Sequence, residues 1–204
     1  MRIAPLLTLA AVMAAQVSFA EDGSWLVRGR LIDVAPANNG GKTSIGGKAH
    51  ADATIVPEVD VTYFMNENIG FELIAATSKH HTKVNKKPTE TDLGDVWVLP
   101  PTLTAQYHFT QGCLGKFKPY VGAGVTYAHF YNAEHAAGLD SVKYEDSFSP
   151  ALQAGVDYKL TDNVYLNADV KKLYIKSNVK VNDTITATAN LQPWVIGVGV
   201  GYRF

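Results

Sequence analysis

Apolar and polar residues alternate along most of this chain, whereas the spacing typical of helices is nearly absent. The final stretch, Pro193–Phe204, shows the pattern most clearly. Large apolar side chains occupy one face, which begins with Trp194 and ends with Tyr202 and Phe204, and the other face carries mostly glycine together with Arg203. Alternation with a period of two predicts a β-strand that presents one face to an apolar environment. Aromatic residues at both ends of that face are typical of strands that cross a membrane.

Seven further segments alternate in the same way, at residues 25–31, 55–63, 71–76, 97–109, 120–127, 152–158 and 166–171. The predicted connections are short at 65–69, 110–116 and 160–163, and they are long and polar at 35–53, 78–94, 130–147 and 177–191. An even number of strands with short turns on one side is typical of bacterial outer-membrane barrels. The pattern therefore predicts an all-β fold, an eight-stranded antiparallel transmembrane β-barrel with short periplasmic turns and long extracellular loops.

Charged residues share the polar face of the predicted strands, so the barrel is expected to be polar inside and apolar outside. The predicted lumen charge network consists of Arg28, Arg30, Glu58, Asp60, Glu72, Asp157 and Asp169. Opposite charges in a narrow interior are tolerated when they pair. Candidate lumen-lining residues on the same face are Ile74, Tyr120, Val195 and Lys171, which form either a constriction or simple packing. Lys171 departs from an all-apolar channel, and Lys172 is expected on the lipid side, where it snorkels near the rim.

The N-terminal residues 1–20 have the pattern of a secretory signal peptide: one Arg, an apolar run and a small-x-small cleavage site before Glu21. The alternative, a membrane anchor, is disfavoured because the run is short for a spanning helix. Residues 21–204 then form the barrel as one domain. Loss of Arg2 leaves 17 basic and 19 acidic residues, a net charge of −2 with neutral His, which gives no indication of nucleic-acid binding. Cys113 is the single cysteine, so neither an internal disulfide nor a cysteine-based metal site is expected.

Several strings make the chain similar to the OmpW family of outer-membrane proteins. They are NIGFELIAAT at 68–77, LPPTLTAQYHF at 99–109, KPYVGAGVTY at 118–127, QAGVDY at 153–158 and GYRF at 201–204. The resemblance covers essentially the whole mature chain and implies a Gram-negative outer-membrane location. It implies a porin-like, eight-stranded barrel whose narrow, mostly apolar lumen is linked to uptake of small hydrophobic molecules. It also implies that the barrel-assembly machinery reads the terminal strand, with Tyr202 and Phe204 as the assembly signal.

Prolines occur within or beside predicted strands although proline cannot donate a hydrogen bond to a sheet. They are Pro57, Pro100, Pro101, Pro150 and Pro193. One interpretation places them at strand ends on the barrel rim. The other places a local break in the wall at Pro100 and Pro101, because two adjacent missing donors do not fit one regular ladder. An apolar solute would leave sideways into lipid through such a gap.

The remaining candidate chemistry is sparse. The basic segment 78–87 is expected in an extracellular loop, either solvated or in contact with lipopolysaccharide phosphates. His80 and His81 are adjacent and point to opposite faces of an extended segment, so no metal site is expected. Ser147 and Ser149 lack a nucleophile motif and an evident base, so we expect neither an enzyme nor a cofactor.

Three functions follow from these observations. The leading hypothesis is a narrow outer-membrane channel for small apolar solutes, with lateral exit into the membrane as one route. The second is a closed structural or receptor barrel whose extracellular loops bind partners such as phage, bacteriocin or host surfaces. A lipid-modifying enzyme is third. The expected partners are outer-membrane lipid and lipopolysaccharide, the barrel-assembly machinery and small apolar solutes.

Overall fold

The computed structural model describes residues 24–35, 48–51, 53–86, 89–110, 115–131, 142–181, 185–190 and 192–204. The strands in this part of the chain are β1 Ser24–Ala35, β2 Lys48–Ala51, β3 Thr54–Phe64, β4 Ile69–Ala76, β5 Ser78–Lys86, β6 Thr89–Leu99, β7 Thr102–His108, β8 Phe117–Tyr131, β9 Val142–Tyr144, β10 Ser147–Lys159, β11 Val164–Leu173, β12 Lys176–Val181, β13 Ile185–Asn190 and β14 Trp194–Arg203. The predicted signal peptide lies outside the described residues and stays a prediction.

Eight of these strands close into a barrel. They pair antiparallel around the wall in the order β1, β3, β4, β7, β8, β10, β11 and β14. The last strand returns to the first, from Leu26↔Arg203 at one end to Ala35↔Trp194 at the other. Closure leaves these strands without a free edge, which is the condition for crossing lipid with β-structure. The predicted fold class is confirmed.

The strands bury their polar face and expose their apolar face, as the alternation predicted. Arg28 on β1 is 0 % exposed, whereas Val198 on the neighbouring β14 is 60 % exposed. Glycine on the inward face of β14 makes room for the charged side chains opposite. A β-carbon at Gly199 would lie 2.8 Å from Cγ of Arg30, closer than real β-carbons approach other atoms. The inward glycines of the terminal strand therefore let β14 lie beside the arginines of β1.

The long connections contain strands that the sequence did not predict. β2, β5 and β6 continue the sheet beyond the barrel, and β9, β12 and β13 form a separate three-stranded sheet. The long polar connections predicted at 78–94 and 177–191 are therefore β-structure over most of their length. The sequences of these segments are mostly polar, so the hydrophobic pattern did not indicate strands there although their backbones pair.

The fourth predicted strand, 97–109, is divided in two. β6 ends at Leu99 and β7 begins at Thr102, so Pro100 and Pro101 lie in a break between them. On one side, pairing between β4 and β7 ends at Ile74↔Thr102, and pairing between β5 and β6 begins again at Ser78↔Val98. On the other side, pairing with β8 is interrupted at the same place, between Leu99↔His129 and Thr102↔Thr126, and the Tyr127 amide donates to the Pro101 carbonyl there at 3.0 Å.

The other prolines do not interrupt a strand. Pro57 and Pro150 lie inside β3 and β10, three residues from the long-loop end of each strand, and Pro193 directly precedes β14. The carbonyls of Pro150 and Pro193 accept bonds from Tyr174 and Leu173 across the wall. These prolines lie at or close to the rim. We call each of the eight strand positions around the wall a stave; β4 and β5 form the third stave, and β7 and β6 form the fourth. Pro100 and Pro101 lie within the fourth stave and not at its end.

Aromatic rings line the outer surface at the turn end. Neighbouring rings contact each other at centroid distances of 4.9–5.1 Å in the pairs Trp25–Tyr63, Tyr107–Phe109, Phe117–Tyr158 and Tyr202–Phe204. Trp194 and Phe148 are exposed at the opposite end of the wall. Two aromatic belts of this kind mark the two interfaces of a membrane. Among the described residues, no α-helix is long and apolar enough to span a bilayer.

Candidate functional site

A dense set of ionised side chains fills the middle of the lumen. We call it the charge layer; its members are Arg28, Arg30, Lys171, Glu58, Asp60, Glu72, Asp157 and Asp169. Arg28 lies at its centre and donates two parallel hydrogen bonds to the Asp157 carboxylate, of 3.2 and 2.8 Å. Its Nη1 also donates to Asp60 at 3.0 Å and to Glu72 at 3.2 Å. The guanidinium therefore joins carboxylates from three different strands.

Arg30 and Lys171 extend this network towards the long-loop end. Arg30 donates to Glu58 at 2.9 Å and to Glu72 at 2.7 Å. Lys171 donates to Glu58 at 2.6 Å and lies 3.3 Å from Asp169. The seven residues of the predicted charge network are thus brought together, and Lys171 joins them instead of lining an apolar channel.

Uncharged polar side chains complete the layer, and sequence reasoning missed their role. Each hydrogen-bonds to a charged member or to another polar side chain; they are Thr62, Thr104, Gln106, Gln153 and Asn167. The signal that identifies them is their position, since each lies an even number of residues from a charged or buried lumen residue on the same strand.

The charges in this layer do not balance. Three cations face five carboxylates, an excess of two negative charges when all are ionised. Oδ2 of Asp60 and Oδ1 of Asp169 accept no hydrogen bond, although each lies within ion-pair distance of a cation, Arg30 at 3.1 Å and Lys171 at 3.3 Å. Every member is at most 5 % exposed, so the layer closes the lumen at this level.

A second closure lies below the charge layer, at the turn end. Leu26, Phe64 and Tyr165 form a buried apolar cluster. The Arg203 guanidinium lies over the Phe64 ring at 4.4 Å and donates to Ser24 at 2.7 and 3.0 Å. The turn end of the lumen is therefore filled by side chains from β1, β3, β11 and β14.

Tyr120, a predicted lumen-lining residue, lies between these two closures. The His108 ring stacks on the Tyr120 ring at 4.8 Å, and its edge meets Phe64 at the same distance. The Tyr120 hydroxyl accepts a bond of 3.1 Å from Asn167 in the charge layer. Tyr120 therefore belongs to packed filling and not to the wall of an open passage.

Above the charge layer the lumen is lined mainly by apolar side chains. We call this part the upper lumen. Its buried apolar residues are Ile32, Ala128, Ala151, Leu173, Ile175 and Val195, and half-buried residues packed on them are Val34, Val56, Ala76 and Phe130. Of the four predicted lining residues, Val195 alone belongs to this cluster. Ile74 is buried on β4 between Glu72 of the charge layer and Ala76 of the upper lumen.

The outer surface of β11 carries the lysine that the sequence placed towards lipid. Lys172 donates to the Gln192 carbonyl, and its ammonium lies 4.9 Å from the centroid of the Trp194 ring. A lysine that reaches along the wall towards an interfacial aromatic keeps its charge near the polar boundary. The expected snorkelling geometry is present at this position.

The described residues bring no catalytic or metal-binding set together. Ser147 and Ser149 point into the lumen, whereas His129 is exposed on the outside, so nucleophile and base are on opposite faces of the wall. Within the same part of the chain, no group of three or more His, Cys, Asp or Glu side chains is arranged to hold a metal ion. Cys113 and the side chains of His80 and His81 lie outside what the structure describes.

Comparison with known proteins agrees with this architecture. The sequence model of the OmpW family matches residues 21–204. The chain belongs to the OmpW family. It is 37 % identical to the uncharacterized outer-membrane protein y4mB of Sinorhizobium fredii, covering 88 % of this chain and 80 % of the relative. It is 34 % identical to outer membrane protein W of Escherichia coli, covering 90 % of each chain.

The solved structures give the same result for the fold. The crystal structure of the outer membrane protein OprG from Pseudomonas aeruginosa superposes with a TM-score of 0.82 at 30 % identity, covering 90 % of this chain and 96 % of that one. The OmpW-family relatives are outer-membrane proteins, and this barrel has the closed wall and aromatic belts of that class. The chain is therefore an OmpW-family barrel of the Gram-negative outer membrane.

Proposed function

We propose that this OmpW-family barrel passes small hydrophobic molecules from the extracellular side into its upper lumen and then sideways into the outer membrane. The observation that carries the proposal is the division of one stave at Pro100 and Pro101, beside the upper lumen. The sections below the upper lumen are filled, first by the charge layer and then by the cluster around Phe64.

Axial passage is costly for an apolar solute. To cross the charge layer it has to separate hydrogen-bonded ion pairs such as Arg28 with Asp157, and it offers these groups no bond in return. A buried polar group left without its partner costs about 1–3 kcal/mol, and more when it is charged. Many such bonds meet in this layer, so an apolar solute is expected to leave above it.

Lateral passage needs a weak place in the wall above the charge layer. An interruption between the third and fourth staves supports such a place, because pairing stops at Ile74↔Thr102 and resumes, in the same register, at Ser78↔Val98. Neither Pro100 nor Pro101 has an amide hydrogen. Successive amides of a strand point to opposite sides and the Pro101 carbonyl bonds to β8, so the missing donor on the side of β4 and β5 is that of Pro100. Half-buried Ala76 lines the upper lumen on that stave, which places the interruption beside the apolar cluster.

The test is a double variant, Pro100→Thr with Pro101→Val, which restores two donors to the wall. We expect slower uptake of a small aromatic hydrocarbon by intact cells, whose lipopolysaccharide leaflet slows entry through lipid alone. Barrel stability is expected to stay the same or to rise, because two further ladder bonds become available. Pro150→Val is the matched control, since Pro150 lies inside a continuous strand away from the interruption. Uptake as fast as the parent's by a folded double variant would overturn the lateral route.

A second function is supported by the filling of the lumen. The side chains of the charge layer and the buried apolar residues of the upper lumen are all at most 5 % exposed. This is what a closed barrel whose loops bind partners would show. In that case, cells that carry the barrel take up hydrocarbon no faster than cells that lack it. Contact of the segment 78–87 with lipopolysaccharide and recognition of the last strand by the assembly machinery remain predictions from the sequence.

A further inference from the structure

Hydroxyl groups run across the upper lumen from β10 to the proline pair. Ser149, Thr126 and Thr102 are cross-strand neighbours on β10, β8 and β7, in the pairs Ser149↔Thr126 and Thr102↔Thr126. Thr102 and Thr126 are hydrogen-bonded through their hydroxyls at 2.8 Å, and Thr102 also donates to the Pro100 carbonyl at 3.0 Å. Ser147, two residues before Ser149, continues the row towards the long-loop end. We call these four residues the hydroxyl row.

The facing wall is apolar. Strands β1, β11 and β14 contribute Ile32, Leu173 and Val195 to the buried cluster, and β3 contributes Val56 at its margin. The upper lumen is therefore amphipathic: its lining is mostly hydrocarbon, with Ala128 and Ala151 on the strands of the hydroxyl row itself, and its hydroxyls lead to the interruption in the barrel. A passage built for pure hydrocarbons needs no such row, because an unpaired buried hydroxyl is itself unfavourable.

Two oxygens of the row have unused hydrogen-bonding capacity. The Ser147 hydroxyl oxygen is buried and has no hydrogen-bond partner within the described part of the chain. The Thr102 hydroxyl has one proton and donates it to the Pro100 carbonyl. Thr126 is therefore the donor in the hydrogen bond between the two threonines. The Thr126 side chain is 0 % exposed, so its remaining lone pair accepts from an occupant only when the side chains packed over it move apart. A buried polar group without a partner calls for a ligand or a water that supplies one.

We infer that the occupant of the upper lumen is an uncharged amphiphile, an apolar molecule that carries a single small hydrogen-bonding group such as a primary alcohol. The inference rests on the proposed uptake function and specifies its substrate class. The apolar wall takes the hydrocarbon part, and Ser147 and Thr126 bind the polar group. The hydroxyl row then leads this group towards the proline pair without leaving it unpaired.

Charge argues for a neutral group over a carboxylate. The charge layer directly beneath the upper lumen holds five carboxylates against three cations, and those cations are already paired. An anionic head would meet this excess of negative charge at close range. Among the described side chains of the hydroxyl row and of the apolar cluster there is no cation to offset it.

The experiment uses two photoreactive probes with the same eight-carbon chain and a mid-chain diazirine, one ending in a hydroxyl and one in a methyl. Outer membranes that contain the full protein are labelled at equal membrane concentrations of each probe, and crosslinks are mapped by mass spectrometry. The alcohol probe is expected to label upper-lumen residues about fivefold more than the hydrocarbon probe, which corresponds to one neutral hydrogen bond. In the double variant Ser147→Ala with Thr126→Val this ratio is expected to fall to near one.

Thr54→Val is the matched control, because it removes an inward hydroxyl from the rim of the opposite wall and should keep the alcohol preference. Folding of each variant is checked by its mobility on a cold gel. Equal labelling by both probes in the parent, or a preference that survives the double variant, overturns the inference. Alcohol-selective labelling together with uptake no faster than in cells without the barrel supports the occupant class and overturns the uptake function instead.

Discussion

Arg28 shows how one side chain organises the lumen. Its planar guanidinium bonds Asp157 with two nitrogens and reaches Asp60, Thr62 and Glu72 with a third. Lysine carries the same charge but lacks the planar fork that fits a carboxylate with two bonds. The position therefore requires arginine for its geometry and not only for its charge.

Replacement of Arg28 by methionine is expected to destabilise the barrel by about 3–5 kcal/mol, because several buried carboxylates lose their partner. Arg28→Lys should cost less, since a cation remains. The measurement is urea-induced unfolding in lipid vesicles, followed by tryptophan fluorescence. Lys159→Met is the control: Lys159 pairs with Asp162 in solvent at the turn end, and its loss should hardly change the unfolding midpoint. Equal effects of the two methionine variants would contradict a structural role for the charge layer.

Asp146 gives the chain a pH-dependent contact outside the membrane-spanning strands. Hydrogen bonds from His129, from the Tyr127 hydroxyl and from the Phe130 amide hold the pKa of the Asp146 carboxyl at about 2, below its usual range. A lowered pKa means that the carboxylate stabilises the fold above about pH 4, the value for an unfolded aspartate. This stabilisation is lost as the pH falls through about 2.

Asp146→Asn is therefore expected to lower the free energy of unfolding at pH 6, and the difference from the parent should disappear between pH 4 and pH 2. The effect is small because the contact is exposed and solvent screens it. Unfolding curves of both proteins at several pH values provide the measurement. A difference that stays constant from pH 6 to pH 2 would show that the carboxylate charge has no part in the contact.

At the scale of elements, β14 closes the barrel and carries the predicted assembly signal. The Phe204 amide donates to the Trp25 carbonyl at 2.8 Å, so the last residue is tied to β1 through its backbone. Its side chain is 50 % exposed on the outer wall and contacts Tyr202. The contribution of the Phe204 ring to stability is thus limited, while its position at the end of the closing strand suits recognition before closure.

Phe204→Ser is expected to reduce the amount of barrel in the outer membrane severalfold, while lowering the stability of refolded protein by no more than about 2 kcal/mol of apolar burial. Membrane levels are measured by immunoblot, and stability by urea titration in detergent. Phe117→Ser is the matched control, since that ring is 53 % exposed in the same aromatic belt but far from the end of the chain. Similar losses of assembly in both variants would mean that any belt aromatic serves equally well.

The fourth stave shows that a strand can be interrupted locally while the barrel around it stays closed. Pro100 and Pro101 end β6 and delay β7, yet the cross-strand partners towards β8 keep one register from Leu99↔His129 to His108↔Tyr120. On the other side, the cross-strand partners towards β4 and β5 also keep one register, from Ile74↔Thr102 to Ser78↔Val98. On the β8 side the Tyr127 amide still bonds the Pro101 carbonyl, and we propose that the wall opens on the side of β4 and β5.

At the scale of the whole molecule, the barrel is closed around its circumference and filled along its axis. Closed ladders keep the backbone bonds of the wall inside the protein, where detergent does not compete for them. The unboiled protein should therefore run faster than the boiled protein on a cold SDS gel, and its circular-dichroism spectrum should be that of β-structure. Equal mobilities together with a helical spectrum would contradict the barrel.

The sequence by itself determined the strands of the barrel and the direction of their side chains. Alternation with a period of two is set within one strand, so Arg28, Asp60 and Glu72 were assigned to the inner face without knowledge of their neighbours. The eight alternating segments also determined the strand count, and the OmpW-type strings added the family. Strands in the long connections escaped this reasoning, because their sequences are mostly polar and carry little of this signal.

Only the tertiary structure decided which inward residues meet and where the lumen is filled. Arg28 and Asp157 are 129 positions apart, and their contact depends on the stagger of strands that close the barrel through β14. The same stagger placed Lys171 with Glu58 and set Val195 among apolar neighbours instead. Local spacing fixes the face of a side chain, but its height and its neighbours follow from pairing between distant strands, which no local pattern encodes.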